Sequence, residues 1–324
     1  MAIDPNSVSF DPQVKILLGM LETMGRISYR QIKPLEARAQ FVELCRRTGK
    51  SAAVDVTAHD LAVPTPSGQL RARLYRPAAS ASAPMPALVY FHGGGWCMGD
   101  IDTHDPVCRQ LSAEARCAVL SVDYRLAPEC RFPSAVEDSF DALRFAIAEA
   151  ASLGFDPARI AIGGDSAGGN LATVSAIRAR DAGIRLAAQV LIYPATDVAG
   201  RHASQDDYAE GFALTRESIA WFVDNYIDVA ARQDWRASPL YAPDLSGLPP
   251  TLIIVGEFDP LVDQNRRYAE RLRAAGTAVD LQVYPGMIHG FLNMGGVLDA
   301  ADRAVIQSAR LLRKVFAIES NPSA

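Results

Sequence analysis

Short apolar runs alternating with helix-patterned stretches constrain this chain more than any other feature of its sequence. Ala87 to Phe91, Ala118 to Val122, Arg159 to Ile162, Gln189 to Tyr193, Thr251 to Val255 and Val279 to Tyr284 are runs of strand length. The helical stretches that alternate with them include Ser134 to Ala151, Leu171 to Ala182, Leu261 to Ala275 and Asp299 to Val315. Strands without a polar face have both sides covered, so the pattern predicts an α/β fold with a mostly parallel sheet between helical layers. Ahead of these runs, Val56 to Val63 and Leu70 to Tyr75 flank Pro64-Thr65-Pro66-Ser67-Gly68 and read as a β-hairpin.

Two regions depart from this rhythm. Within residues 11–50, Val14, Leu17, Leu18, Leu21 and Met24 recur at helical spacing, as do Leu35, Ala39, Phe41 and Leu44. Two amphipathic helices before any strand read equally as a lid and as a packing pair. The stretch from Ala199 to Pro239 is longer than an ordinary crossover and carries Trp221, Phe222 and Tyr226 on one expected helix, the mark of a lid insertion. The expected division is a helical cap segment over 1–50 and a catalytic domain over 51–324, with 200–235 adding to the cap.

Composition matters mainly for what it excludes. A net charge of −5, with arginines spread along the chain, argues against a nucleic-acid partner. No apolar run approaches membrane-spanning length, and Met1 to Phe10 lacks the basic and apolar regions of a secretory signal. The 5 cysteines, Cys45, Cys97, Cys108, Cys117 and Cys130, have no Cys-x-x-Cys spacing, which favours reduced thiols in a cytoplasmic protein over a disulfide framework or zinc site.

The chemistry is carried by Gly164-Asp165-Ser166-Ala167-Gly168, between an apolar run and a run of helix formers. A Gly-x-Ser-x-Gly turn from strand to helix presents a strained serine hydroxyl beside a helix N-terminus. Serine needs a base and an orienting acid. Asp259, directly after the run Thr251 to Val255, is the candidate acid, favoured over Asp263; its bland alternative is a helix N-cap before Pro260. His289, after the last run, is the candidate base. His59 and His202 have blander readings, and His104 between Asp102 and Asp105 reads as a solvated loop rather than a metal site. His92-Gly93-Gly94-Gly95 follows a strand, and its unobstructed N–H groups, with that of Ala167, suit a developing oxyanion. Neither glycine-rich turn spells a dinucleotide or phosphate-loop motif.

His92-Gly93-Gly94-Gly95, Asp123-Tyr124-Arg125-Leu126-Ala127-Pro128-Glu129, Gly164-Asp165-Ser166-Ala167-Gly168-Gly169, Asp259-Pro260-Leu261 and His289-Gly290-Phe291 occur in this order. Together they closely resemble the hormone-sensitive-lipase-like carboxylesterases, family IV of the bacterial lipolytic enzymes, over roughly residues 55 to 315. The resemblance implies an α/β-hydrolase fold with an eight-stranded, mostly parallel sheet and a helical cap. It implies a cofactor-free hydrolase of short- to medium-chain esters, with Ser166 as nucleophile, His289 as base, Asp259 as its orienter, and Gly93, Gly94 and Ala167 as the oxyanion hole. The segment from Asp123 to Glu129 is expected to fix a loop near the site. Val262-Asp263-Gln264 departs from the Arg-Asp-Glu of many members. An amidase or deacetylase with the same triad, and a non-catalytic small-molecule receptor, are the alternatives. Met20, Met24, Trp96, Phe212, Trp221 and Phe222 are the expected pocket liners. Related esterases are often dimers, and an exposed edge strand leaves a homodimer open.

Overall fold

The computed structural model describes residues 3–23, 32–50, 55–78 and 84–318. Its strands are β1 (Val56–Thr65), β2 (Gly68–Pro77), β3 (Met85–Phe91), β4 (Ala118–Asp123), β5 (Phe155–Asp165), β6 (Gln189–Ile192), β7 (Thr251–Phe258) and β8 (Val279–Ile288). They form one 8-stranded sheet in the order β1-β2-β4-β3-β5-β6-β7-β8. The β1–β2 and β2–β4 pairs are antiparallel and the remaining pairs are parallel.

The helices are α1 (Pro12–Thr23), α2 (Pro34–Thr48), α3 (Asp105–Ala115), α4 (Ser134–Ala148), α5 (Ala167–Asp181), α6 (Ala203–Asp207), α7 (Arg216–Tyr226), α8 (Val262–Ala274) and α9 (Asp299–Val315). The pleat divides the apolar strand residues between two layers. Val89, Phe91, Ile162, Leu191 and Ile253 join the core under α4, α5 and α8. Leu88, Tyr90, Ala161, Val190 and Leu252 join the core under α1, α3 and α9. Each central strand is therefore buried on both faces, which is why these runs lack polar alternation.

One local expectation is overturned. His104 does not lie in a solvated loop: it is fully buried and caps the start of α3, whose first turn holds Pro106. Proline suits a first helical turn because the missing N–H has no intrahelical partner there.

The two departures from the strand–helix rhythm meet in space. Ile3 N–H donates to the Asp207 carbonyl at 2.8 Å, Pro5 packs so closely on Gly211 that a Cβ there would lie 2.3 Å from Pro5 Cγ, and the Phe10 and Phe212 rings are 5.4 Å apart. Helix α7 starts on a capping box, with Thr215 Oγ1 accepting from Ser218 N–H and Ser218 Oγ accepting from Thr215 N–H. Of the helical positions expected near the start of the chain, Met24 lies outside the described residues.

Candidate active site

Ser166 stands at the junction of β5 and α5 with φ 53° and ψ −116°, a conformation that L-residues rarely adopt. The glycines around it permit the close approach that holds it there. A Cβ on Gly168 would lie 1.9 Å from the Phe91 carbonyl oxygen, and one on Gly164 would lie 2.5 Å from the same atom. The turn is thus wedged against the end of β3, and Ser166 N–H is tied to the Ile192 carbonyl at 2.8 Å on the other side. Strain of this kind persists because its surroundings over-determine it.

The ends of β7 and β8 bring the acid and the base to the serine. His289 Nε2 lies 3.0 Å from Ser166 Oγ, and His289 Nδ1 lies 2.7 Å from Asp259 Oδ2. A carboxylate only accepts, so the imidazole proton sits on Nδ1 and the Nε2 lone pair faces the hydroxyl. Asp259 is fully buried, and its other oxygen accepts Leu261 N–H at 2.7 Å. The carboxylate therefore does two things at once: it caps the turn leading into α8 and it fixes the ring. Asp263 instead accepts Ser204 N–H at 2.9 Å, away from the histidine.

The glycine loop after β3 corrects one expectation. Gly93 N–H is not available to a substrate oxygen, because it donates to Asp165 Oδ1 at 3.0 Å inside the protein, and Gly93 does not line the cavity above Ser166. Gly94 and Gly95 line that cavity with Ala167. Asp165 is the anchor of this loop: it also accepts from Tyr90 Oη at 2.8 Å and has His104 Nε2 at 3.2 Å. Burial pushes its carboxyl up, but His104, with Tyr90 and His92, outweighs burial and leaves it below the usual carboxylate range. His92 is itself pushed down to about 4 by burial, and its Nδ1–H donates to the Gly93 carbonyl at 2.8 Å. Tyr124 stacks on the His92 ring at 4.2 Å and donates to the His92 carbonyl at 2.8 Å, so the Asp123 to Glu129 segment braces the loop. From α2, Arg38 reaches the Cys97 carbonyl at 2.8 Å, the Ala127 carbonyl at 3.0 Å and Glu129 at 2.5 Å.

Known proteins resemble this chain in sequence and in fold. The family model described as the alpha/beta hydrolase fold matches residues 88–293. The chain belongs to that family. Within it, the chain groups with the hormone-sensitive-lipase-like carboxylesterases. It is 42% identical over 322 residues to a carboxylic ester hydrolase of Mycobacterium tuberculosis, covering 95% of this chain and 84% of the relative. It is 39% identical to an ethyl acetate hydrolase of Pseudomonas putida, over 95% of this chain and 99% of the relative. Among solved structures, a hyperthermophilic esterase from Pyrobaculum calidifontis superposes with a TM-score of 0.89 at 38% identity, over 95% of this chain and 99% of that one.

In this α/β-hydrolase the serine opens into a mainly apolar cavity of about 170 Å³. Helix α2 contributes Phe41 and Leu44 to its walls, and the 200–235 stretch contributes Leu214, Ile219, Phe222 and Val223. Of the expected liners, Trp96 and Phe222 are at the cavity. Phe212 is not: it is fully buried beneath Phe10, Tyr208 and Phe258, with ring centroids at 5.4, 5.0 and 6.1 Å. Met20 and Trp221 also do not line it; Trp221 turns aside to pack edge-on against Phe222 at 5.4 Å. What sequence reasoning missed is that Ala213 and Leu214, the neighbours of Phe212, line the cavity above the serine. Ala213 has φ +67°. Among the described residues no group of His, Cys, Asp and Glu is arranged to hold a metal ion, and no helix is long and apolar enough to cross a membrane.

Proposed function

We propose that this hydrolase cleaves short- to medium-chain carboxylic esters through an acyl-enzyme on Ser166. The observation that carries the reading is the hydrogen-bonded line from Asp259 through His289 to Ser166 at the floor of an apolar cavity. As Ser166 Oγ attacks the ester carbonyl, its proton passes to His289 Nε2, and Asp259 stabilises the resulting imidazolium without taking the proton. The carbonyl oxygen, now negative, is held by the N–H groups of Gly94, Gly95 and Ala167, for which no acceptor among the described residues competes. His289 returns the proton to the leaving alcohol, then removes one from water, and water releases the acid and frees Ser166.

A compact cavity of about 170 Å³, walled mainly by apolar side chains, supports the short end of the acyl range. The relative named for ethyl acetate favours the same range. A cap built from residues 1–50 and 200–235 sets this size, through the side chains that α2 and the insertion place around the serine. The free thiols of all five cysteines are compatible with a reducing, cytoplasmic setting. The test is a chain-length series of p-nitrophenyl esters on the parent and on Ser166→Ala. The parent is expected to prefer acyl chains of few carbons, and the folded variant to lose at least about 10⁴-fold in kcat. Undiminished cleavage by Ser166→Ala would refute the mechanism, and a preference for long chains would refute the substrate class.

A further inference from the structure

Three consecutive residues of the glycine loop have positive φ: Gly94 at +116°, Gly95 at +61° and Trp96 at +59°. Glycine adopts such angles freely, whereas a tryptophan there is strained and needs its surroundings to hold it. Hydrogen bonding by the indole does not supply the hold, since Trp96 Nε1 is buried without a partner among the described residues. Helix α7 supplies it instead. The Tyr226 ring lies flat on the Trp96 ring, with centroids 4.2 Å apart and planes 4° apart. One turn earlier on α7, the Phe222 ring sits directly on Gly95, where a Cβ would lie 2.3 Å from its Cδ1.

The same end of α7 is fastened to the hydrolase body. The Tyr226 carbonyl accepts Phe132 N–H at 2.8 Å, and Arg131 Nη1 donates to the carbonyls of Asp224 and Asn225 at 2.9 and 2.8 Å. Trp96 is pinned from below as well, its carbonyl accepting Ala127 N–H at 2.8 Å. The loop that presents Gly94 and Gly95 is therefore gripped between the Asp165 anchor underneath and α7 above.

We propose that Tyr226 is a positioning residue for the ester hydrolysis. By stacking on Trp96 it holds that residue at positive φ and so aims the N–H groups of Gly94 and Gly95 at the substrate oxyanion. Tyr226 is fully buried and does not line the cavity, so it acts without touching substrate. Its hydroxyl has no partner among the described residues, so the ring alone does the work. This inference rests on the reading of Gly94, Gly95 and Ala167 as the oxyanion donors. It adds that a helix of the 200–235 stretch sets the transition-state geometry as well as the pocket shape, since Ser218, Ile219, Phe222 and Val223 of the same helix face the serine.

The test compares Tyr226→Leu, Tyr226→Phe and Arg131→Ala with the parent, using p-nitrophenyl butyrate and a matched pair of inhibitors, a trifluoromethyl ketone and its methyl ketone. Removing one oxyanion donor typically costs about 10²–10³-fold in turnover, and misaiming one should cost a part of that. Tyr226→Leu is expected to lose about 10–100-fold in kcat with KM within about threefold, and to lose a similar factor in trifluoromethyl ketone affinity. Tyr226→Phe keeps the ring and should restore turnover. Arg131→Ala, at a half-buried side chain that touches neither Ser166 nor the glycine loop, should show the same kcat-weighted loss at smaller size. If Tyr226→Leu does not fold, Arg131→Ala carries the test, and an unchanged kcat in it overturns the proposal. A parent that shows no preference for the trifluoromethyl ketone refutes the oxyanion reading itself. A parent that shows the preference, with a folded Tyr226→Leu that keeps both it and kcat, refutes only the role of Tyr226.

Discussion

The floor and the roof of the catalytic cavity are built by different physics. The floor is polar, strained and hydrogen-bonded throughout: Ser166 at φ 53°, Asp259 fully buried with both oxygens used, and Asp165 gathering Gly93, Tyr90 and His104 around one carboxylate. The roof is apolar, made by Phe41 and Leu44 from α2 and Leu214, Ile219 and Phe222 from the insertion, with exposed apolar residues such as Leu35 and Val42 on the outer side of α2. Buried polar groups tolerate little change, because each lost partner strands another. Apolar walls tolerate substitution so long as volume is kept. The difference teaches that chemistry and selectivity are carried by separable parts, joined where α7 grips the glycine loop.

The largest effect that could break this contrast is expected at Asp259. Asp259→Asn keeps shape but offers Nδ1 an amide, favouring the wrong imidazole tautomer, and kcat should fall about 10⁴-fold with little change in KM. A drop of tenfold or less, measured on p-nitrophenyl acetate, would mean that the floor is not the rigid unit described. Phe212→Ala probes the boundary of the roof. It opens a cavity among Phe10, Tyr208 and Phe258 and should cost about 3–5 kcal/mol in denaturant unfolding. Its KM at low temperature should stay near the parent's, whereas a pocket liner would change acyl selectivity.

Leu214→Trp narrows the cavity itself. It should lower kcat/KM for hexanoate by about 1–2 kcal/mol, read as roughly tenfold, and leave acetate nearly unaffected. Equal losses on both esters would show that Leu214 supports the floor. The smallest effect is a pH difference at Asp123, pushed up to about 6, chiefly by burial and then by Asp100. A folded value above the ordinary 3.8 means that ionising Asp123 costs stability increasingly as pH rises from about 4 to about 6, in full above that and not at all well below the ordinary value. Asp123→Asn should therefore be about 1–3 kcal/mol more stable than the parent at pH 8, and the two should converge at about pH 3 in thermal melts.

How far the molecule was legible in its sequence follows the same division. The strand runs were readable because burial on both faces removes polar alternation, and Ser166, Asp259 and His289 were readable because each directly follows such a run. Gly93 was misassigned for a physical reason: the sequence places three glycines in a loop but does not say which N–H turns inward. The buried Asp165 decided that, and an aspartate beside the serine was the available signal, since a buried carboxylate must find donors. Helix α3 was signalled by Pro106 and passed over. Roof residues were least legible, because an aromatic side chain looks the same in sequence whether it meets substrate, like Phe222, or other rings, like Phe212.

The packing of the chain's start against distant segments has a consequence for biosynthesis. Gln13 and Asp299 are 286 residues apart and joined by a hydrogen bond of 3.0 Å, and Asp11 N–H reaches the Gly286 carbonyl at 3.3 Å. At about 5–20 residues per second, ribosomal synthesis needs roughly 15–60 s to supply those partners. Until those partners are made, Val14 and Leu17 lack part of the surface that covers them in the folded protein, so the nascent chain displays an apolar stripe along α1.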